Sequence, residues 1–346
     1  MGDGRLASLQ ILRAVAATLV FIFHLFDIFH LRGLIGSRYA MAGAAGVDIF
    51  FVVSGFIITL AAGSDRTTFM LKRIARIVPL YWLVTLAIFA VGLMTPQFLG
   101  RTRMTAEALL QSLFFIPFVR ETGGIVPILP IGWTLNYEMM FYVLFAVCLG
   151  GSIRATVLRV SAILVTLVIL GRITDSRAVA IVFYTDGIVL EFLFGMLICL
   201  VWRRKPDLFR RLRPLLPIGA LMLLTQEMSL LRLPREIGYG LPAACILAGT
   251  LGLSLPDNRW SRIGVRIGDA SYAMYLVHSY VQHLFAVMAL AAGMTATMSV
   301  ILVGSAAYLT TLIVSFALFH VVERPVLSAV RVWLSGRSMR HQSSTS

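Results

Sequence analysis

His24 ends a hydrophobic run, RAVAATLVFIFH, that Arg13 begins. An ionisable side chain at membrane depth costs roughly 2.5 kcal/mol or more. A segment that keeps one there has a use for it, which makes His24 the first candidate for chemistry. Imidazole accepts and returns a proton near neutrality. At position 24 it can act as general base on an acceptor hydroxyl or attack an acyl carbonyl itself; the plainer alternative is a hydrogen bond to a neighbouring helix. Arg13 and His24 are eleven residues apart. At 100° per residue that returns to within about 20° of one helix face, with a rise of about 16 Å. With Arg13 at the cytoplasmic boundary, His24 falls near the middle of a hydrocarbon core about 30 Å thick. Asp27, three residues on, either orients the imidazole or marks the outer helix end.

Arg73 and Arg76, in FMLKRIARIVP, are three residues apart, so both guanidinium groups can lean towards one ligand. Arginine forks suit phosphates through paired hydrogen bonds, and a phosphate-bearing donor such as coenzyme A is a natural cytoplasmic ligand. KRIAR also reads simply as the charged flank of a span. Asp48, in GAAGVDIFFVVSGF at 43–56, must face protein or water, while Gly43, Gly46 and Ser54 offer small surfaces for close helix packing. Glu138 follows the interfacial Trp133 in WTLNYEMMFY and reads as a proton acceptor, a saccharide ligand or an arginine's counter-ion. Ser271, Tyr275 and His278, in SYAMYLVH, form one polar stripe that either binds a saccharide or joins helices.

The elements that position these residues are helices in a bilayer. Of the 346 residues 59% are hydrophobic and 13% charged, against about 25% charged in soluble domains. Apolar stretches long enough to span place ten helices near 9–30, 44–62, 77–95, 133–151, 155–173, 180–202, 214–231, 237–255, 270–292 and 297–321, an all-α polytopic bundle. About two thirds of the 30 Lys and Arg residues then fall on one side, which the positive-inside rule makes cytoplasmic, together with both termini. The net charge of +14 follows from this topology and from anionic lipid, and nucleic-acid binding is not expected. Cys148, Cys199 and Cys245 stand singly in apolar spans, so neither a disulfide framework nor a metal site is expected. The first hydrophobic stretch is too long for a signal-peptide core and reads as an uncleaved anchor. Residues 5–325 read as one membrane domain and 326–346 as a basic, polar, disordered cytoplasmic tail.

These motifs together resemble the acyltransferase-3 family of integral membrane O-acyltransferases, in particular bacterial exopolysaccharide O-acetyltransferases. The matching elements run in family order: the arginine and histidine pattern ending at His24, GAAGVDIFFVVSGF, the R-x-x-R of Arg73 and Arg76, WTLNYEMMFY, EFLFGM at 191–196, SYAMYLVH, and VERP at 322–325. The resemblance implies an inner-membrane, multi-pass enzyme that moves acetyl or another short acyl group from cytoplasmic acetyl-CoA to a hydroxyl of an exported or lipid-linked saccharide. It implies that His24 is essential and that Arg73 and Arg76 serve the donor. Larger relatives carry an esterase-like domain after the last span, and this chain ends at residue 346 without one; transfer is then completed in the membrane domain or by a partner from polysaccharide biosynthesis or export. The expected roles are therefore His24 and Glu138 in catalysis, Arg13, Arg73 and Arg76 on the donor, and Asp27, Asp48, Trp133, Tyr275 and His278 towards the acceptor. Two rivals are a secondary transporter or saccharide flippase, which would more often show repeats and broken helices in matched halves, and a non-catalytic assembly subunit.

Overall fold

The computed structural model describes residues 3–35, 41–63, 65–95, 104–121, 123–228, 233–294 and 299–343. Among these residues the regular structure is helical, apart from one antiparallel bridge between Val119 and Ile125. In chain order the α-helices are α1 (Asp3–Leu31), α2 (Ala45–Ala61), α3 (Arg66–Met94), α4 (Ala106–Leu113), α5 (Trp133–Cys148), α6 (Ile153–Ile173), α7 (Val179–Tyr184), α8 (Leu190–Arg204), α9 (Leu208–Arg211), α10 (Leu215–Glu227), α11 (Leu241–Leu251), α12 (Arg259–Asp269), α13 (Ser271–Ala291), α14 (Gly304–Leu318) and α15 (Arg324–Ser343). Wider π-helical turns precede α11, α14 and α15.

Among the described residues, six helical stretches are long and apolar enough to cross a membrane: Ala7–Leu31, Arg66–Met94, Pro130–Cys148, Ile153–Ile173, Ser271–Ala291 and Val300–Ser335. Ala45–Ala61, Leu215–Gln226 and Glu236–Leu251 are apolar but shorter. The chain is a multi-pass membrane protein. Each of the ten expected segments contains helix, though several bounds differ. The third begins at Arg66 rather than 77, because Asp65 caps it by accepting from the backbone N–H of Thr67 and Thr68, both at 3.1 Å. The segment 180–202 is not one helix. It breaks after Tyr184, where Asp186 accepts from Ile188 N–H at 2.9 Å and caps a short turn ahead of α8. The stretch 326–343, expected to be disordered, lies on α15; residues 344–346 lie outside the described residues.

The chain divides into two compact units, both discontinuous in sequence. The first takes residues 1–61, 163–169 and 186–316; the second takes 62–162, 170–185 and 317–346. In the first unit α1 and α2 run in opposite directions, and small residues let their backbones touch. A Cβ on Gly46 would sit 2.4 Å from the Ala16 carbonyl oxygen, and one on Gly43 2.4 Å from that of Leu19. Helices α2 and α8 run in the same direction, with Asp48 beside Glu191 towards their starts and Arg203 Nη1 donating to the Thr59 carbonyl at 3.4 Å towards their ends. They cross where Gly55 meets the Phe192 carbonyl and Gly195 meets the Val52 carbonyl, 2.1 and 1.9 Å from the missing Cβ atoms. Such small-residue crossings replace the hydrophobic drive that lipid cannot supply. Helices α1 and α13 also run in one direction. Just before α13, Gly268 of α12 abuts the Gln10 carbonyl; along α13, Ser271 meets Arg13 and Gln282 Nε2 donates to the Phe21 carbonyl at 2.7 Å.

In the second unit α4 is pinned against α3. Tyr81 donates to the Ser112 carbonyl at 3.0 Å and stacks on Phe115, while Trp82 Nε1 donates to the Leu113 carbonyl at 2.8 Å. Ser112 Oγ in turn accepts from Ile128 N–H at 2.9 Å, leading the chain into α5. The long connection after α3 thus carries structure of its own. At the other end of α3, Arg66 Nε donates to the Leu149 carbonyl at 2.8 Å, and Phe69 stacks on Phe145 of α5.

Candidate active site

The polar line expected on α1 faces the polar stripe expected on α13. Arg13 Nη2 donates to Ser271 Oγ at 2.9 Å, and Arg13 Nη1 donates to Gln10 Oε1 at 3.0 Å. Eleven residues further along, His24 Nδ1 lies 3.2 Å from His278 Nε2 and 3.0 Å from the Val20 carbonyl oxygen. The two rings meet edge to face with centroids 4.9 Å apart. His278 is 1% exposed, whereas His24 is half-buried. Asp27, on the next turn of α1, interacts electrostatically with His24 and with His283 of α13. Tyr275 is buried, its ring between Phe50 and His278. Arg13, His24, Asp27, Tyr275 and His278 therefore belong to one constellation in the first unit. Both ring nitrogens of His278 face protein groups.

Asp48 lies elsewhere in that unit and is fully buried, as is Glu191. Arg235 Nη2 reaches Asp48 Oδ1 at 3.0 Å, and its Nε stands 4.0 Å from Glu191 Oε1. The guanidinium also lies over the Tyr239 ring, 5.6 Å from its centroid. Asp48 does face protein, as a carboxylate inside a span should. Its partners come from EFLFGM and from the connection before α11. Glu191 and Arg235 escaped the sequence reading as site residues, although EFLFGM was visible as a motif.

Arg73, Arg76, Glu138 and Trp133 lie in the second unit. Because α3 begins early, both arginines stand well inside a helix, not at its flank. Arg73 lies over the Phe69 ring at 5.6 Å and interacts electrostatically with Tyr142, Arg76 and Glu138. Glu138 accepts a hydrogen bond from Tyr142, one turn further along α5. Arg76 Nη1 is 4.0 Å from Glu323 Oε2, the carboxylate of the VERP motif, which is a third residue not singled out from sequence. The Trp133 ring packs edge to face on Tyr137. This unit holds a cationic pair with one carboxylate near each arginine.

A family model described as an acyltransferase domain matches residues 6–320, nearly the whole chain. The chain belongs to the acyltransferase-3 family. It is 34% identical over 310 residues to the exopolysaccharide production protein ExoZ of Rhizobium meliloti (strain 1021), covering 87% of this chain and 94% of that protein. It is 28% identical over 222 residues to the putative peptidoglycan O-acetyltransferase YrhL of Bacillus subtilis (strain 168), covering 56% of this chain and 33% of that protein. No solved structure matches. The protein is thus an acyltransferase embedded in a membrane, and this acyltransferase carries histidine and arginine constellations on the two units of its fold.

Proposed function

We propose that this acyltransferase moves an acetyl or other short acyl group from cytoplasmic acyl-CoA to a hydroxyl of an exported or lipid-linked saccharide, an exopolysaccharide unit being the acceptor class. The observation that carries this reading is His24: a half-buried imidazole on a membrane helix, with Nδ1 tied to Val20 and His278. In direct transfer the acceptor oxygen bonds to the thioester carbonyl carbon while His24 takes the hydroxyl proton. The carbon–sulfur bond breaks and that proton passes to the departing thiolate. If His24 instead attacks the carbonyl, the carbon–sulfur bond breaks and the thiolate leaves with the acyl group on the ring; the hydroxyl oxygen then bonds to the acyl carbon, the nitrogen–carbon bond breaks, and the hydroxyl proton passes to the thiolate. Arg73 and Arg76 hold donor phosphates, and Arg13 and Glu138 supply charge complementarity. The likeness to a protein named for exopolysaccharide production supports the acceptor class, and the one named as a putative peptidoglycan O-acetyltransferase supports acetyl as the group. Purified protein in nanodiscs should consume acetyl-CoA thioester and acetylate the lipid-linked saccharide of its host; a transporter or an assembly subunit would leave the thioester intact.

If the arginine pair grips phosphate through paired hydrogen bonds, Arg76→Lys keeps the charge but loses the fork. The expected outcome is a raised KM for acyl-CoA, by roughly tenfold for about 1.4 kcal/mol of lost binding, with kcat little changed. An unchanged donor KM in both Arg73→Ala and Arg76→Ala would reduce the pair to a topology signal.

The proposed arrangement has ten crossings with both termini in the cytoplasm of an inner-membrane protein. The shared direction of α1 and α13, and of α2 and α8, supports it, since ten alternating crossings give spans one and nine the same sense and spans two and six the same sense. Gly123→Cys should then label with an impermeant maleimide from outside, and Lys205→Cys only after the membrane is opened. Labelling of both from one side would overturn the crossing count between them.

A further inference from the structure

Two neutral imidazoles in contact carry one proton each, only one of which lies between the rings, and the surrounding carbonyls decide which ring donates it. His278 Nδ1 lies 2.7 Å from the Tyr275 carbonyl oxygen and 3.2 Å from that of Met274. His24 Nδ1 lies 3.0 Å from the Val20 carbonyl oxygen. Carbonyl oxygens accept and cannot donate, so each Nδ1 carries a proton. A lone pair at either place would face oxygen lone pairs where water cannot intervene. Neutral His278, with its proton on Nδ1, presents a bare Nε2 to the Nδ1–H of His24 at 3.2 Å. The reverse assignment would require His278 to hold protons on both nitrogens, a cation 1% exposed whose ring nitrogens meet no carboxylate.

We infer that His278 is a positioning residue for acyl transfer: together with the Val20 carbonyl it holds His24 in the Nδ1–H tautomer and leaves His24 Nε2 as the nitrogen that takes the proton or the acyl group. The inference rests on the proposed role of His24 and names the atom that performs it. His278 occupies the place a carboxylate fills in hydrolase triads, where it fixes tautomer and orientation, but it does so as a neutral acceptor. The sequence stripe Ser271, Tyr275, His278 thereby acquires a division of labour, with Ser271 on Arg13 and His278 on His24.

Nitrogen-15 NMR of histidine-labelled protein in nanodiscs, at a pH where the rings are neutral, tests this directly, with His24 assigned by the signal lost in His24→Ala. The expected spectrum has a protonated Nδ1 and a bare Nε2 at His24. His278→Gln, whose side-chain oxygen can accept, should keep that signature and stay within about tenfold of parent turnover. His278→Phe fills the space without an acceptor and should mix the tautomers, lowering kcat on the order of 10²-fold with the acyl-CoA KM unchanged. A purely packing role predicts the opposite order of the two variants. A bare Nδ1 on His24 in the parent overturns the inference even if neither variant folds, and so does parent-like kcat in His278→Phe. Failure of the His24 role itself would appear separately, as activity surviving in His24→Ala.

Discussion

His24→Ala is expected to abolish acyl transfer while the protein still inserts and accumulates. The ring's hydrogen-bonding contacts are with the Val20 carbonyl, one turn away on its own helix, and with His278, so its removal leaves the Gly43 and Gly46 crossings intact. A positioned general base is worth 10² to 10⁴ in rate, so the loss should be at least about 10²-fold in kcat, measured by thioester consumption in purified protein and by mass spectrometry of the surface polysaccharide. Residual activity within about tenfold of the parent would remove His24 from the chemistry and leave it as an inter-helix hydrogen bond.

Arg235→Leu is expected to produce the largest loss of stability. It strips the cation from a site where Asp48 and Glu191 are both fully buried. Breaking a buried ion pair typically costs 3 to 5 kcal/mol, because the remaining charge is left unpaired. The arginine side chain is 38% exposed, which places the cost at about 3 kcal/mol, the lower end. The readout is thermal unfolding of detergent-solubilised protein, together with the fraction that remains monodisperse. Neutralising the partners as well, with Asp48→Asn and Glu191→Gln added to Arg235→Leu, should recover part of the loss. A single variant that melts with the parent would show that the cluster contributes nothing to the fold.

Residues that share a helix were readable from the chain because helical geometry is local. The eleven-residue interval put Arg13 and His24 on one face, and the stripe of Ser271, Tyr275 and His278 was visible in the same way. That the two stripes would meet was not readable, since their partners lie 258 and 254 positions apart and nothing in either segment names the other. Asp48 was legible as a carboxylate that must face protein, but its cation comes from a connection that charge counting assigned to an outer loop. The start of α3 was misplaced for a different reason. The polar residues Asp65, Thr67 and Thr68 lower the hydropathy of the segment, yet they are the cap that begins the helix. The arginine pair consequently moved from a flank into a helix interior. Ten apolar segments were visible as composition, whereas the break at Asp186 depends on one side chain bonding to its own backbone.

The division of the chain into interleaved units sets a timetable for biogenesis. His278 is synthesised 254 residues after His24, which at about 5 to 20 residues per second is an interval of roughly 13 to 50 s. Throughout that interval α1 is in the bilayer with its histidine and arginine unpartnered by α13, while most of the second unit emerges from the ribosome. Helix α2 can cover one flank at once, through Gly43 and Gly46 on the backbone of α1. The other flank waits for α13 until the ninth expected span arrives, so the pairing of His24 with His278 is a late event rather than a step in threading the chain.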